Sequence, residues 1–306
     1  MGNTNIMKTK ILRNILLSLG AIFALAINVH AQNLYVTVVQ PGEIFEYTPS
    51  GAQSTYATGL SAPRGLAFDS IGNLFAAETV FVDRDLEIGR VLKYNLHNKV
   101  STVGSAAFFT FEGLATDIAG NAYVMATDDR SPTAAGTIFK FTPSGERMVF
   151  GSVPTTPNSI LAPFGLAFDS AGNLYAADGN AQTIYKFAPN GARTVFVGPS
   201  AFATGAYPLG LAFDSSGDLF VSTDCFCDPG SDTILKFTRT GVESTFATGL
   251  TNPRGLAFDS SGNLFVAESN DFPDGDILEF PPGGGSPTVF ASFLNRPQFL
   301  TFGPPR

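Results

Sequence analysis

One phrase that returns along the chain constrains the fold more than any other feature. Residues Pro63 to Glu78, Pro163 to Asp178 and Pro253 to Glu268 each read Pro-x-Gly-Leu-Ala-Phe-Asp-Ser-x-Gly-Asn-Leu-Phe/Tyr-Val/Ala-Ala-Asp/Glu, and weaker copies open at Phe111 and Pro208. The turn aspartates Asp69, Asp117, Asp169, Asp214 and Asp259 lie 48, 52, 45 and 45 residues apart. That period is the length of one four-stranded propeller blade.

Each copy divides into four short strands. Gly-Leu-Ala-Phe is the first, and Asp-Ser-x-Gly-Asn is a tight turn in which Asp bonds backbone amides and Gly takes positive φ. Leu-Phe/Tyr-Val/Ala-Ala is the second strand. A variable loop precedes the third, as in Thr137 to Phe141, Thr183 to Phe187 and Thr233 to Phe237, where apolar and polar residues alternate. A Pro-x-Gly type of turn leads to the fourth, as in Ser244 to Thr248.

The two ends complete each other. Gln32 to Val36 enters the pattern at its second strand, whereas Pro297 to Phe302 is a first strand with only a short tail after it. Together they predict an all-β, six-bladed β-propeller of four-stranded antiparallel blades over residues 32–306. It is closed by pairing of the N- and C-terminal strands in one composite blade, which removes open sheet edges. A solenoid would share the period but would not explain the complementary ends.

Residues 1–31 stand apart from the repeat. Lys8, Lys10 and Arg13 precede an apolar run from Ile15 to Ile27, and Val29-His30-Ala31 supplies the small residues of a cleavage site. This predicts a signal peptide cut before Gln32 and an exported chain, periplasmic or secreted. The run is shorter than the roughly 20 residues a spanning helix needs, so no membrane anchor is expected after cleavage. Loss of the three cations would take the net charge from −8 to −11. An acidic surface disfavours nucleic acid as a partner, and a monomer is expected.

Absent residues narrow the chemistry further. The chain has no tryptophan, and past residue 31 His97 is its one histidine, in the turn Asn95-Leu-His-Asn98. Histidine zinc clusters are excluded. Cys225 and Cys227 are the only cysteines. In an exported chain they could pair, but two residues apart in extended backbone they would sit about 7 Å from each other, so free thiols or a strained bond are expected and not a structural staple.

The repeated phrase resembles the NHL repeat and, more broadly, the superfamily of six-bladed propellers that includes the SMP-30/gluconolactonase-like lactonases and the streptogramin B lyases. The resemblance covers residues 32–306 and implies the propeller fold. It also implies, for a lactonase, metal ligands in Glu-Gly, Asn-Gly and Asp-Gly contexts at the channel mouth, with Ca²⁺ the implied cofactor. Glu112-Gly113 matches one of these contexts. For a lyase it implies a catalytic histidine, which His97, in a solvated turn, does not supply.

In a propeller the residue before each strand-opening Gly rings one mouth of the channel. Here that ring is Arg64, Glu112, Phe164, Leu209, Arg254 and Gln298. Two arginines are suited to a carboxylate-bearing ligand. A second acidic set, Glu78, Asp178 and Glu268, closes the second strands; with Glu112 it is the candidate metal set, and capping of the following turns is its alternative role. Acidic loops at Asp83, Asp85 and Glu87, at Asp224, Asp228 and Asp232, and at Asp271, Asp274 and Asp276 lack calcium-loop spacing.

The reading expected from these residues is a binding module, not an enzyme, that takes a small polar molecule, glycan or protein at the mouth face. A Ca²⁺-dependent lactone hydrolase centred on Glu112 is the competing reading, and an envelope-associated structural repeat the third.

Overall fold

The computed structural model describes residues 32–83, 86–128, 136–154, 164–225, 230–270 and 275–305. The expected signal peptide, together with Asp85, Cys227, Asp228, Asp271 and Asp274, lies outside them. Among the described residues no helix is long and apolar enough to cross a membrane.

The strands follow the repeat. β1 (Leu34–Val38), β2 (Glu43–Tyr47) and β3 (Gln53–Ala57) come first, then β4 (Pro63–Phe68), β5 (Leu74–Phe81), β6 (Glu87–Tyr94) and β7 (Val100–Ala107). β8 (Phe109–Thr116), β9 (Ala122–Asp128), β10 (Gly136–Phe141) and β11 (Arg147–Ser152) carry the next copy. β12 (Leu166–Phe168), β13 (Leu174–Asp178), β14 (Thr183–Phe187) and β15 (Arg193–Val197) follow, then β16 (Tyr207–Phe213), β17 (Leu219–Asp224), β18 (Asp232–Phe237) and β19 (Glu243–Leu250). β20 (Pro253–Phe258), β21 (Leu264–Glu268), β22 (Gly275–Phe280) and β23 (Thr288–Leu294) precede β24 (Pro297–Phe302).

Hydrogen bonding corrects the expectation of six separate four-stranded blades. Four free-standing blades stand in the ring, ordered β24-β1-β2-β3, β12-β13-β14-β15, β16-β17-β18-β19 and β20-β21-β22-β23. Residues 63–152 form instead one eight-stranded sheet, β11-β10-β9-β8-β6-β5-β4, with β7 also paired to β6. The join is a parallel bridge between Ile88 and Phe109. Its cause is local: β5 and β6 are long, and Phe108 alone links β7 to β8. Phe108 takes a φ of 67° and donates its N–H to the Glu87 carbonyl at 2.6 Å, which lays β8 along β6. Gly89 makes room, since a Cβ there would lie 2.3 Å from the Phe111 ring.

The terminal strands pair antiparallel, with Leu34 opposite Phe302 and Val36 opposite Leu300. Around the channel, β4, β8, β12, β16, β20 and β24 each neighbour the next, and β24 returns to β4. The glycine of the repeated phrase is needed there. A Cβ on Gly113 would meet the Phe164 carbonyl oxygen at 2.1 Å, and one on Gly210 the Arg254 carbonyl oxygen at 2.0 Å. Each mouth residue is thus seated by its backbone against the preceding strand.

Sheets pack through aromatic triplets. A ring on the second strand meets, edge to face, one on the fourth strand of the same copy and one on the first strand of the next: Tyr35 with Tyr56 and Phe68, Tyr123 with Phe150 and Phe168, Tyr175 with Phe196 and Phe213. Phe220 with Phe246 and Phe258, and Phe265 with Phe290 and Phe302, complete the series. Centroids lie 4.9–5.1 Å apart and planes cross at 71–87°. Each such pair adds about 0.5–1.5 kcal/mol beyond burial, and the triplets occupy eleven of the chain's 29 phenylalanines.

The turn aspartates are structural, as the sequence suggests. Asp69 accepts the N–H groups of Ile71 at 3.1 Å and Asn73 at 2.8 Å, and its second oxygen accepts the Asn73 amide at 2.6 Å. Asp117, Asp169 and Asp259 repeat the arrangement. These turns lie at the end of the ring opposite the mouth residues, because one strand length separates Arg64 from Asp69.

Candidate functional site at the channel mouth

The first strands bring part of the predicted ring together as a charged cluster. The Arg64 guanidinium lies 3.0 Å from the buried Glu112 carboxylate. Arg254 lies 3.4 Å from Asp224, and its guanidinium sits over the Phe164 ring at 5.3 Å from the centroid. Burial pulls Arg254 below the usual guanidinium range; Asp224 and Glu112 oppose that pull, and Arg64 and Arg296 add to it. Arg254 therefore feels four other charged side chains at the mouth.

Leu209 is buried, and Gln298 donates to the Ser269 hydroxyl at 2.6 Å, so neither presents chemistry to solvent. Glu112 and Phe164 are buried as well. What solvent meets is Arg64, whose side chain is 30% exposed, and the exposed Arg296.

Two hydroxyls that the sequence reading did not single out seat the arginines. Thr37 donates to the Arg64 carbonyl at 2.7 Å and accepts the Phe299 N–H at 3.1 Å. Ser222 donates to the Arg254 carbonyl at 2.7 Å and accepts the Gly210 N–H at 2.8 Å. They occupy the fourth place of the second strand, where the other copies have Ala77, Met125, Ala177 and Ala267. That substitution pattern is the signal that would have found them. Asp224 was visible only as a member of an acidic loop, one place beyond the position of Glu78, Asp178 and Glu268.

The candidate metal set does not converge. Glu78 meets Arg90 at 2.5 Å and accepts the Ser61 N–H at 2.8 Å; Glu268 accepts the Thr251 N–H at 2.7 Å. Asp178 accepts the Ala181 N–H at 3.1 Å, and burial raises its carboxyl above the usual range. Glu268 is raised for the same first reason, with Asp276 and Asp232 adding to it. Glu78 and Glu268 thus hold the loops that enter the first strands of their own blades, β4 and β20, and Asp178 caps its own turn. Among the described residues no group of three or more His, Cys, Asp and Glu side chains is arranged to hold a metal ion. Ca²⁺ wants several converging oxygens, and at this mouth it would face Arg64 and Arg254 instead. The residues present do not fit the implied cation.

Of the acidic loops, Asp232 is engaged in structure, accepting the N–H groups of Cys225 and Asn252 at 2.9 and 2.8 Å. His97 lies in an exposed turn, its N–H given to the Asn95 side chain at 2.9 Å. Cys225 is disulfide-bonded, which removes the free thiol from the two states expected.

Ring, triplets and closing strands define an all-β propeller with its charged cluster at the mouth where first strands begin. Solved structures with this fold include TolB from Acinetobacter baumannii, with a TM-score of 0.65 at 11% identity over 90% of this chain and 67% of that one. A gluconolactonase from Xanthomonas campestris gives 0.59 at 15% identity, covering 87% of each. Virginiamycin B lyase from Staphylococcus aureus gives 0.50 at 17% identity over 74% and 69%. No protein-family model matches the chain, and no curated protein does. At these identities the likeness is one of fold, and a propeller hosts binding modules and hydrolases alike.

Proposed function

We propose that this propeller is an exported binding module that takes a small polar ligand bearing a carboxylate at its channel mouth. The observation that carries the reading is the Arg64–Glu112 and Arg254–Asp224 pairing beside Phe164. With Arg296, three guanidinium groups and two carboxylates act on this site among the described residues, in a chain whose net charge is −8. A carboxylate would meet the half-open Arg64 fork first and be held by two parallel N–H donors. The TolB likeness, to a propeller of that name, is compatible with a periplasmic setting, and the apolar run at Ile15–Ile27 with export.

The gluconolactonase likeness supports a second reading, lactone hydrolysis at Glu112. The Arg64 contact on that carboxylate argues against it, since a guanidinium at 3.0 Å occupies the oxygen a metal would need. Calorimetric titration with succinate, citrate and gluconate tests the first reading. Binding by one of them, weakened about tenfold or more by Arg64→Met, supports it. A lactone and ester screen run with Ca²⁺, Zn²⁺ and chelator tests the second. Chelator-sensitive turnover lost in Glu112→Gln would overturn the binding-module reading.

A further inference from the structure

At the turn end of the ring, opposite the mouth, a cavity of about 410 Å³ opens between the β16–β19 and β20–β23 blades. Its volume lies in the range of small-ligand sites, about 300–1,000 Å³. The floor is the triplet Phe220, Phe246 and Phe258, of which the last two are half-buried. One wall is the hairpin 281–287, Pro-Pro-Gly-Gly-Gly-Ser-Pro, longer than the corresponding turns Thr48–Gly51 and Thr142–Gly145. Gly283, Gly284 and Gly285 have φ of 83°, 93° and 123°, a run that favours glycine, so Pro282 is the one side chain this wall gives the cavity among the lining residues. The facing wall carries Ser215, Ser260 and Ser261.

The polar groups select among ligands. Asp214 and Asp259 supply acceptors, and Lys236 supplies an ammonium. That ammonium lies 2.9 Å from Asp218, 3.5 Å from Asp214 and 5.1 Å from the Phe220 centroid. A small anion would meet an excess of carboxylates. A second cation would meet Lys236, already placed over the aromatic floor and between its carboxylates. What remains is a neutral ligand with hydroxyls on its rim, able to give to carboxylates and take from Lys or Ser, and with an apolar C–H face for the rings. We infer that this inter-blade cleft binds a pyranose sugar, free or as the terminal residue of a glycan. The site is separate from the mouth and does not depend on the carboxylate reading.

Saturation-transfer NMR on the whole chain tests it, with glucose, galactose, N-acetylglucosamine and cellobiose as probes, and methylammonium and acetate as charged controls. Ser215→Trp fills the cleft from an exposed turn position without altering a carboxylate, and Ser261→Tyr does so from the neighbouring turn. The expected result is transfer to the ring protons of at least one sugar, weakened about tenfold or more in whichever of these variants melts like the parent, and unchanged in Arg64→Met. No transfer to any of the four sugars would overturn the inference. So would equal transfer in a folded cleft variant, or transfer to a charged control alone.

Discussion

Removing Arg90 separates a structural role for Glu78 from a metal-binding one. The Glu78 side chain is fully buried, with one oxygen 2.5 Å from Arg90 and the other accepting the Ser61 N–H at 2.8 Å. Arg90→Leu leaves that carboxylate in the sheet without its cation. Breaking a buried pair costs about 3–5 kcal/mol, but Arg90 is 39% exposed and partly screened, which places the cost near the lower bound, about 2–3 kcal/mol. For a domain of this size that is a fall in melting temperature of roughly 4–10 °C. Differential scanning calorimetry at pH 7 reads it directly. The double variant Glu78→Gln with Arg90→Leu should recover most of the loss at pH 7, since glutamine still offers an oxygen to Ser61 and leaves no buried charge. The reasoning fails if Arg90→Leu melts within 1 °C of the parent. A Ca²⁺-induced rise in melting temperature that Glu78→Gln abolishes would show that the carboxylate serves a metal instead.

The remaining expectations concern Asp178 and the two seating hydroxyls. Burial raises Asp178 above its ordinary 3.8, so above that pH the folded chain holds more protons than the unfolded one, and stability falls as pH rises through the folded value. Asp178→Asn should therefore flatten the dependence of the urea midpoint on pH from 4 upward; a curve of unchanged slope would refute the assignment. Thr37→Ala and Ser222→Ala should each cost about 1–3 kcal/mol through a less satisfied buried carbonyl, and should weaken carboxylate binding at the mouth more than Ala77→Ser at the matching place on β5. Parent-like affinity in both alanine variants would remove these hydroxyls from the positioning of Arg64 and Arg254.

Much of the ring was legible because its repeated residues do one job each. Gly113 and Gly210 stand where any Cβ would strike the next strand's carbonyl, and Asp69 stands where its carboxylate closes a turn, so periodic spelling reports periodic geometry. Phe108 breaks that link. Its single-residue connection and left-handed φ join two copies into one sheet through contacts no local pattern encodes. Similarly, Arg64 and Glu112 announced themselves by their place before a glycine. Asp224, reached by Arg254 from the next blade, did not, because the contact crosses a blade boundary. The glycine hairpin at 281–287 was not singled out in the sequence, because its apposition to Asp214 and Ser215 arises only when two blades meet.

Pairing of β1 with β24 also governs when the ring can shut. Thr37 accepts the Phe299 N–H across 262 residues of sequence, so β1 waits for β24, made much later, before its free edge is covered. During that interval β1 is an open template for a neighbouring chain, and long-range closure of this kind is slow and exposed to misassembly. The final latch of the ring is therefore a matter of timing during synthesis as well as of contacts once folded.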